Sequence, residues 1–202
     1  MTVHSPVGRA NQKLRTRTAI LQAAVELMRT GREITMLEVA KAALVSEATA
    51  YRYFPDLASL LREAMSGQMP TPAEALREVA DSRDPVVRIA AAAEHLLRTV
   101  LAFQGATRAM IAATITRPAS AGSRPGLRFG LIEYALSPLD GVLSAAARRQ
   151  LGNDLAVVVS AEALFCLTDL CGLGPEEAIT SAVHTATTLT RAALSESPAE
   201  PG

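Results

Sequence analysis

The residues best equipped for chemistry lie in the string "SEATAYRYF", residues 46–54. Ser46, Thr49, Tyr51 and Tyr53 carry hydroxyls, Glu47 a carboxylate and Arg52 a guanidinium, while Ala48 is small enough to allow close approach. Hydroxyls and the free amides of a helix N-terminus suit phosphate oxygens. A guanidinium can donate two bonds to a guanine edge, and a carboxylate can accept from a cytosine amino group. The chemistry on offer is recognition of a polyanion. The same string also fits the solvated face of a structural helix, and the pattern alone leaves both readings open.

Other chemistries lack their motifs. There is no Gly-rich phosphate loop, nucleophile elbow or paired-carboxylate motif, so no enzyme is expected. His4, His95 and His184 have no ligand-like spacing, and neither a metal nor a cofactor is expected. Cys166 and Cys171 are five apart in one expected helix, where their side chains point in different directions. That spacing argues against an intrachain disulfide and for two buried, small apolar residues.

Helices must position these groups. Aromatics make up only 3% of the 202 residues and Trp is absent; Ala, Leu and Arg recur without alternating β-branched runs, which favours an all-α fold. Ile20, Ala24, Leu27 and Met28 form one face of a helix over about 15–30, stopped by Gly31. "TMLE" is a capping box that starts a short helix at Thr35, and Ser46 starts another eleven residues later. Two short helices joined by a tight turn suggest a helix-turn-helix, in which the second helix enters the major groove. A fourth helix follows Asp56 and carries the stripe Leu57, Leu60, Leu61, Ala64 and Met65.

Beyond residue 70 the helices lengthen. One opens at Asp84 and Pro85, and another, over about 105–116, is apolar nearly all round and so is expected at the centre of the larger domain. Residues 117–126, "RPASAGSRPG", form the longest loop signal. Residues 154–171 are apolar on almost every side, and a last helix begins at Pro175. Val157, Ala161 and Leu164 on the first of these, with Ala178, Ala182, Ala186, Leu189 and Ala193 on the second, form the expected homodimer seam.

Formal net charge is zero, but residues 1–69 hold nine Lys/Arg against six Asp/Glu. Arg9, Lys13, Arg15 and Arg17 occur before the first acid, the first two on what reads as a flexible basic arm over 1–14 and the other two at the start of the helix after it. No apolar run has the length of a membrane span and no signal-peptide pattern stands at the N-terminus, so no membrane partner and a cytoplasmic location are expected.

The segment "AILQAAVELMRTGREITMLEVAKAALVSEATAYRYFPDLASLL", Ala19 to Leu61, closely resembles the N-terminal domain of the tetracycline-repressor (TetR) family of transcriptional regulators. The resemblance implies a homodimer that binds a palindromic operator on double-stranded DNA and is released by a small-molecule effector. It also implies that Thr35, Ser46, Glu47, Ala48, Thr49, Tyr51, Arg52 and Tyr53 line the DNA, while Leu44, Val45 and Phe54 pack the domain. Three positions depart from the family pattern. Leu44 stands where a turn Gly is usual, which calls for a turn without positive φ. Glu47 stands where a base is common, and Leu57 where a Lys commonly contacts the backbone. The departures at Leu57 and Leu44 motivate an alternative, a helical small-molecule- or partner-binding protein with a weakened DNA-binding head.

The expected layout is an arm over 1–14, a helix-turn-helix domain over 15–67, a ligand-binding and dimerisation domain over 70–195 and a flexible tail over 196–202. An apolar pocket with few polar anchors is the usual form of an effector site. Phe103, Met110, Phe129, Tyr134, Glu162, Phe165 and Asp169 are its candidate residues. Each apolar one is equally suited to plain core, and the two acids to ion pairs with Arg or to an exposed rim. His95, Arg88 and Thr99 share the face opposite their helix's apolar stripe and are expected to be exposed.

Overall fold

The computed structural model describes residues 6–116 and 126–196, with side chains from Ala10 onward. The first five residues of the expected arm, the Arg9 side chain, most of the loop signal at 117–126 and the tail beyond Glu196 lie outside the described residues. All regular structure among the described residues is helical. The chain divides into two compact units.

The first unit holds α1 (Pro6–Met28), α2 (Met36–Ala42), α3 (Glu47–Tyr53), α4 (Leu57–Ser66) and α7 (Gln104–Thr116). Each of the three helices after α1 starts on a side-chain cap. The Thr35 hydroxyl accepts from Glu38 N while the Glu38 carboxylate takes the Thr35 N–H at 2.8 Å, so two orphan donors are satisfied at once. Ser46 accepts from Thr49 N and Asp56 from Ser59 N in the same way. Ile20, Ala24, Met28, Val39, Ala40, Ala50, Phe54, Leu60 and Leu61 close the core. Residues 6–14, expected as an arm, are the first turns of α1.

Helix α7 corrects the expected partition. Its buried residues Ala106 and Met110 join the core of the first unit, where the helix packs on α4, instead of filling the centre of the larger domain. Gly105 is what lets it in. A Cβ placed there would stand 1.8 Å from the Arg32 carbonyl oxygen, so backbone lies against backbone.

The second unit holds α5 (Pro72–Ala75), α6 (Pro85–Ala102) up to Leu101, α8 (Leu127–Ala135), α9 (Ala145–Val158), α10 (Ala161–Phe165) and α11 (Pro175–Glu196). The stretch expected as one helix over 154–171 is broken. α9 ends at Val158, Ser160 caps α10 by accepting from Ala163 N, and a π-helical turn, Cys166–Leu170, follows. Its apolar character has an internal cause: Leu151, Leu155, Val159 and Leu164 all enter the unit's core. No single helix among the described residues is long and apolar enough to cross a membrane.

Arg88 reverses its expected exposure. Only 3% accessible, it donates from Nε to Ala135 O, from Nη1 to Val79 O and Ala80 O, and from Nη2 to Tyr134 O at 2.7 Å. The guanidinium thereby satisfies carbonyls at the end of α8 and after α5, where a cation is favoured by the helix dipole. His95 and Thr99, on the same face, are half-buried instead of exposed.

Candidate nucleic-acid interface

The recognition candidates are brought together on α3 and its approaches. Ala50 and Phe54 point into the core and fix the helix. Ser46, Glu47, Ala48, Tyr51 and Arg52 are then exposed, with Thr49 and Tyr53 half-buried beside them. Tyr51 keeps 47% of its surface accessible, and the Arg52 guanidinium lies 5.7 Å from the Tyr53 ring centroid. The Ser46 and Thr49 hydroxyls share a 2.9 Å hydrogen bond, which orders the first turn. Thr35 is exposed at the start of α2, and Lys13 and Arg15 are exposed on α1. Arg17 is committed elsewhere: it pairs with Glu63 at 2.6 Å and stacks 5.1 Å from Phe54, joining α1 to α4.

Electrostatics at this face are mixed. Glu47 puts a negative charge in the first turn of α3, where the helix N-terminus stabilises it. Glu38 is consumed by its cap; its hydrogen bonds to the Thr35 hydroxyl and backbone hold the carboxyl below the usual carboxylate range. The exposed cations of α1 to α3 and their loops, from Ala10 to Phe54, are Lys13, Arg15, Arg29, Arg32, Lys41 and Arg52.

Two of the departures resolve structurally. Leu44 has φ +56°, the only non-glycine residue in the left-handed region among the described residues, and its side chain is 93% exposed. The turn therefore keeps the geometry that favours Gly and does not avoid it, and Leu44 packs nothing. Val45 and Phe54 pack the head as expected. Leu57 is half-buried against the same core, so the position serves packing and offers no cation.

Residues 20–64 match the family model described as "Bacterial regulatory proteins, tetR family". The head belongs to the tetR family. No curated protein and no solved structure matches the chain. The tetR match covers α2 and α3 entire, the C-terminal part of α1 from Ile20 and most of α4. Residues 20–64 thus form the helix-turn-helix, DNA-binding head of a tetR-type transcription regulator, in a chain whose described residues are all helical or irregular.

The candidate effector residues do not converge in the same way. Met110 is buried in the core of the first unit, with Phe103 packed against that core. In the second unit Phe129 is 55% exposed and lines a cleft of about 760 Å³ with Ile132, Glu133 and Arg149. Tyr134 lines a different cleft, of about 460 Å³, with Asp81, Ser137 and Arg88, whose guanidinium lies 4.9 Å from the Tyr134 ring centroid. Glu162 pairs with Arg128 at 3.1 Å, Asp169 accepts from the Thr168 hydroxyl at 2.9 Å, and Phe165 packs on the core. The acids thus take the ion-pair and rim roles. Arg88 is a buried cap of backbone carbonyls that sequence pattern missed; only the neighbouring helix ends, which demand a donor, could have signalled it.

The expected seam also needs correction. Leu164, Ala178, Ala182 and Ala186 are at most 2% exposed because α11 lays this small-residue face against its own α9 and α10. They pack the chain itself. Val157 is 72% exposed, Ala161 half-buried, and Leu189 and Ala193 line a groove of about 910 Å³ with Val142, Leu143 and Leu194. The outer face of α11 carries Thr180, His184, Thr185 and Thr188. The Thr hydroxyls return to their own helix, to Glu176 O, Ser181 O and His184 O at 2.8 to 3.0 Å.

Proposed function

We propose that the chain is a repressor that binds a palindromic operator as a homodimer and is released by a small molecule. The observation that carries this reading is the exposed set Ser46, Glu47, Ala48, Tyr51 and Arg52 on a capped second helix, with Lys13 and Arg15 exposed on α1. In this arrangement the α3 N-terminus enters the major groove, Arg52 and Glu47 read base edges, and the hydroxyls and basic groups hold phosphates. Dimerisation uses Val157, Ala161, Leu189 and Ala193 together with the exposed Thr180, His184, Thr185 and Thr188 of α11, where small residues allow close helix packing. Two heads so joined meet operator half-sites about one helical turn apart or slightly more.

Release requires an effector that prefers one conformation by its own differential affinity. The cleft of the second unit that Tyr134 lines with Asp81, Ser82 and Ser137 supplies an aromatic wall and polar groups for such a molecule. The test is fluorescence anisotropy on DNA from upstream of the protein's own gene against a scrambled duplex at about 0.15 M salt. A preference for the upstream duplex of at least about a thousandfold supports the reading. Equal weak binding to every duplex recovered from a random-sequence selection favours instead the weakened head that Glu47 and Leu57 suggest.

A further inference from the structure

Cys166 and Cys171 are the only cysteines of the chain, and both are exposed free thiols, not the buried apolar pair that their spacing predicts. The reason is the π-helical turn between them, in which Cys171 N donates to Cys166 O at 3.2 Å. In an α-helix, residues five apart diverge. An i to i+5 bond instead sets Cys171 one full turn above Cys166, the relation that i and i+4 hold in an α-helix. Residues so related have Cβ atoms about 5–6 Å apart, against about 3.5–4.5 Å in a disulfide.

The remaining approach of about 1–2 Å falls where the backbone can supply it. Cys171 caps the turn and is followed by Gly172 at φ +70° and, after Leu173, by Gly174. Asp169 and Leu170, the residues before it, are exposed, while Leu167 and Leu173 hold the segment to the core. Isolated π turns inside helices recur at functional sites.

We propose that Cys166 and Cys171 form a modification site, a dithiol that a hydroperoxide converts to an intrachain disulfide. One thiolate attacks the O–O bond, giving a sulfenic acid and releasing water, or an alcohol from an organic hydroperoxide. The second thiol then attacks that sulfur, the S–OH hydroxyl leaves as water, and the S–S bond forms. Two electrons pass from sulfur to the peroxide, and the protein loses two hydrogens.

The experiment treats the reduced full-length chain with graded hydrogen peroxide, alkylates it with iodoacetamide, and reads intact mass and mobility on a non-reducing gel. The expected product is two hydrogens lighter, carries no alkyl group, migrates as a single chain and returns to the starting mass with dithiothreitol. Cys166→Ser and Cys171→Ser should each retain one thiol, trapped by dimedone as the sulfenic acid after peroxide. Three results overturn the proposal: two alkylatable thiols persisting at peroxide doses that oxidise a reference peptide dithiol, progression to sulfinic acid, or a disulfide between chains.

Discussion

Replacing Leu44 by Gly should stabilise the protein, although it removes a large apolar side chain. The left-handed backbone costs an L-residue about 1–2 kcal/mol, and Leu44 bears that cost at φ +56°. Glycine escapes it but loses more chain entropy on folding, about 0.5–1 kcal/mol. The side chain itself contributes little in return. With 93% of its surface exposed, it buries under a tenth of the about 2 kcal/mol available to a full leucine. The balance favours Gly by about 0.5–1 kcal/mol, which for a chain of this size raises the unfolding midpoint by about 2 °C. Thermal unfolding followed by circular dichroism, with urea unfolding alongside, measures it. Leu44→Ala separates the two contributions, because it removes the side chain while keeping the strain, and should leave the midpoint near that of the parent. A lower midpoint for Leu44→Gly would mean that the leucine makes contacts this structure does not contain, and the strain argument would fall.

Further outcomes follow from the same contacts. Gly105→Ala should destabilise the first unit by about 1–3 kcal/mol, the usual cost of overpacking, since its Cβ would meet the Arg32 carbonyl oxygen; an unchanged midpoint refutes the close approach of α7. Arg88→Ala should cost about 3 kcal/mol or more by stranding the carbonyls of Val79, Ala80, Tyr134 and Ala135, and urea unfolding showing under about 1 kcal/mol would deny the capping role. The Glu38 carboxyl titrates below its ordinary range because the Thr35 hydroxyl and then the Thr35 backbone N–H bind its charged form. Its contribution is therefore present above the ordinary carboxylate range and lost as pH falls through the lowered folded value. The stability difference between parent and Glu38→Gln should shrink through that acid window, and a difference that grows there contradicts the sign.

How much was legible in the sequence depended on whether a local signal had one physical meaning. Thr35, Ser46 and Asp56 each precede a short helix by the spacing a cap requires, and all three hydroxyl or carboxylate oxygens accept the expected amide. The head could therefore be read almost residue by residue. Helix α7 could not be assigned, because an all-round apolar pattern says that a helix is buried without saying against what. Gly105 was the one available clue. Arg88 misled because helical phase places its Cα, while a long side chain can still reach back to orphan carbonyls. The Leu164, Ala178, Ala182 and Ala186 stripe suited a partner chain or the chain's own helices equally well, and burial decides for the latter. The π turn at Cys166–Leu170 shifts phase by one residue with no compositional mark, so the two thiols were assigned to the interior.

The most direct test of the account is the affinity of Arg52→Ala for a selected duplex and for a scrambled one, measured by anisotropy at a single salt concentration. If α3 reads base edges, the loss on the selected duplex should be about 1–3 kcal/mol, or about ten- to a hundredfold, with a much smaller loss on the scrambled one. Equal losses on both duplexes would show that Arg52 contacts only phosphate and would contradict the assignment of α3 as the sequence-reading helix.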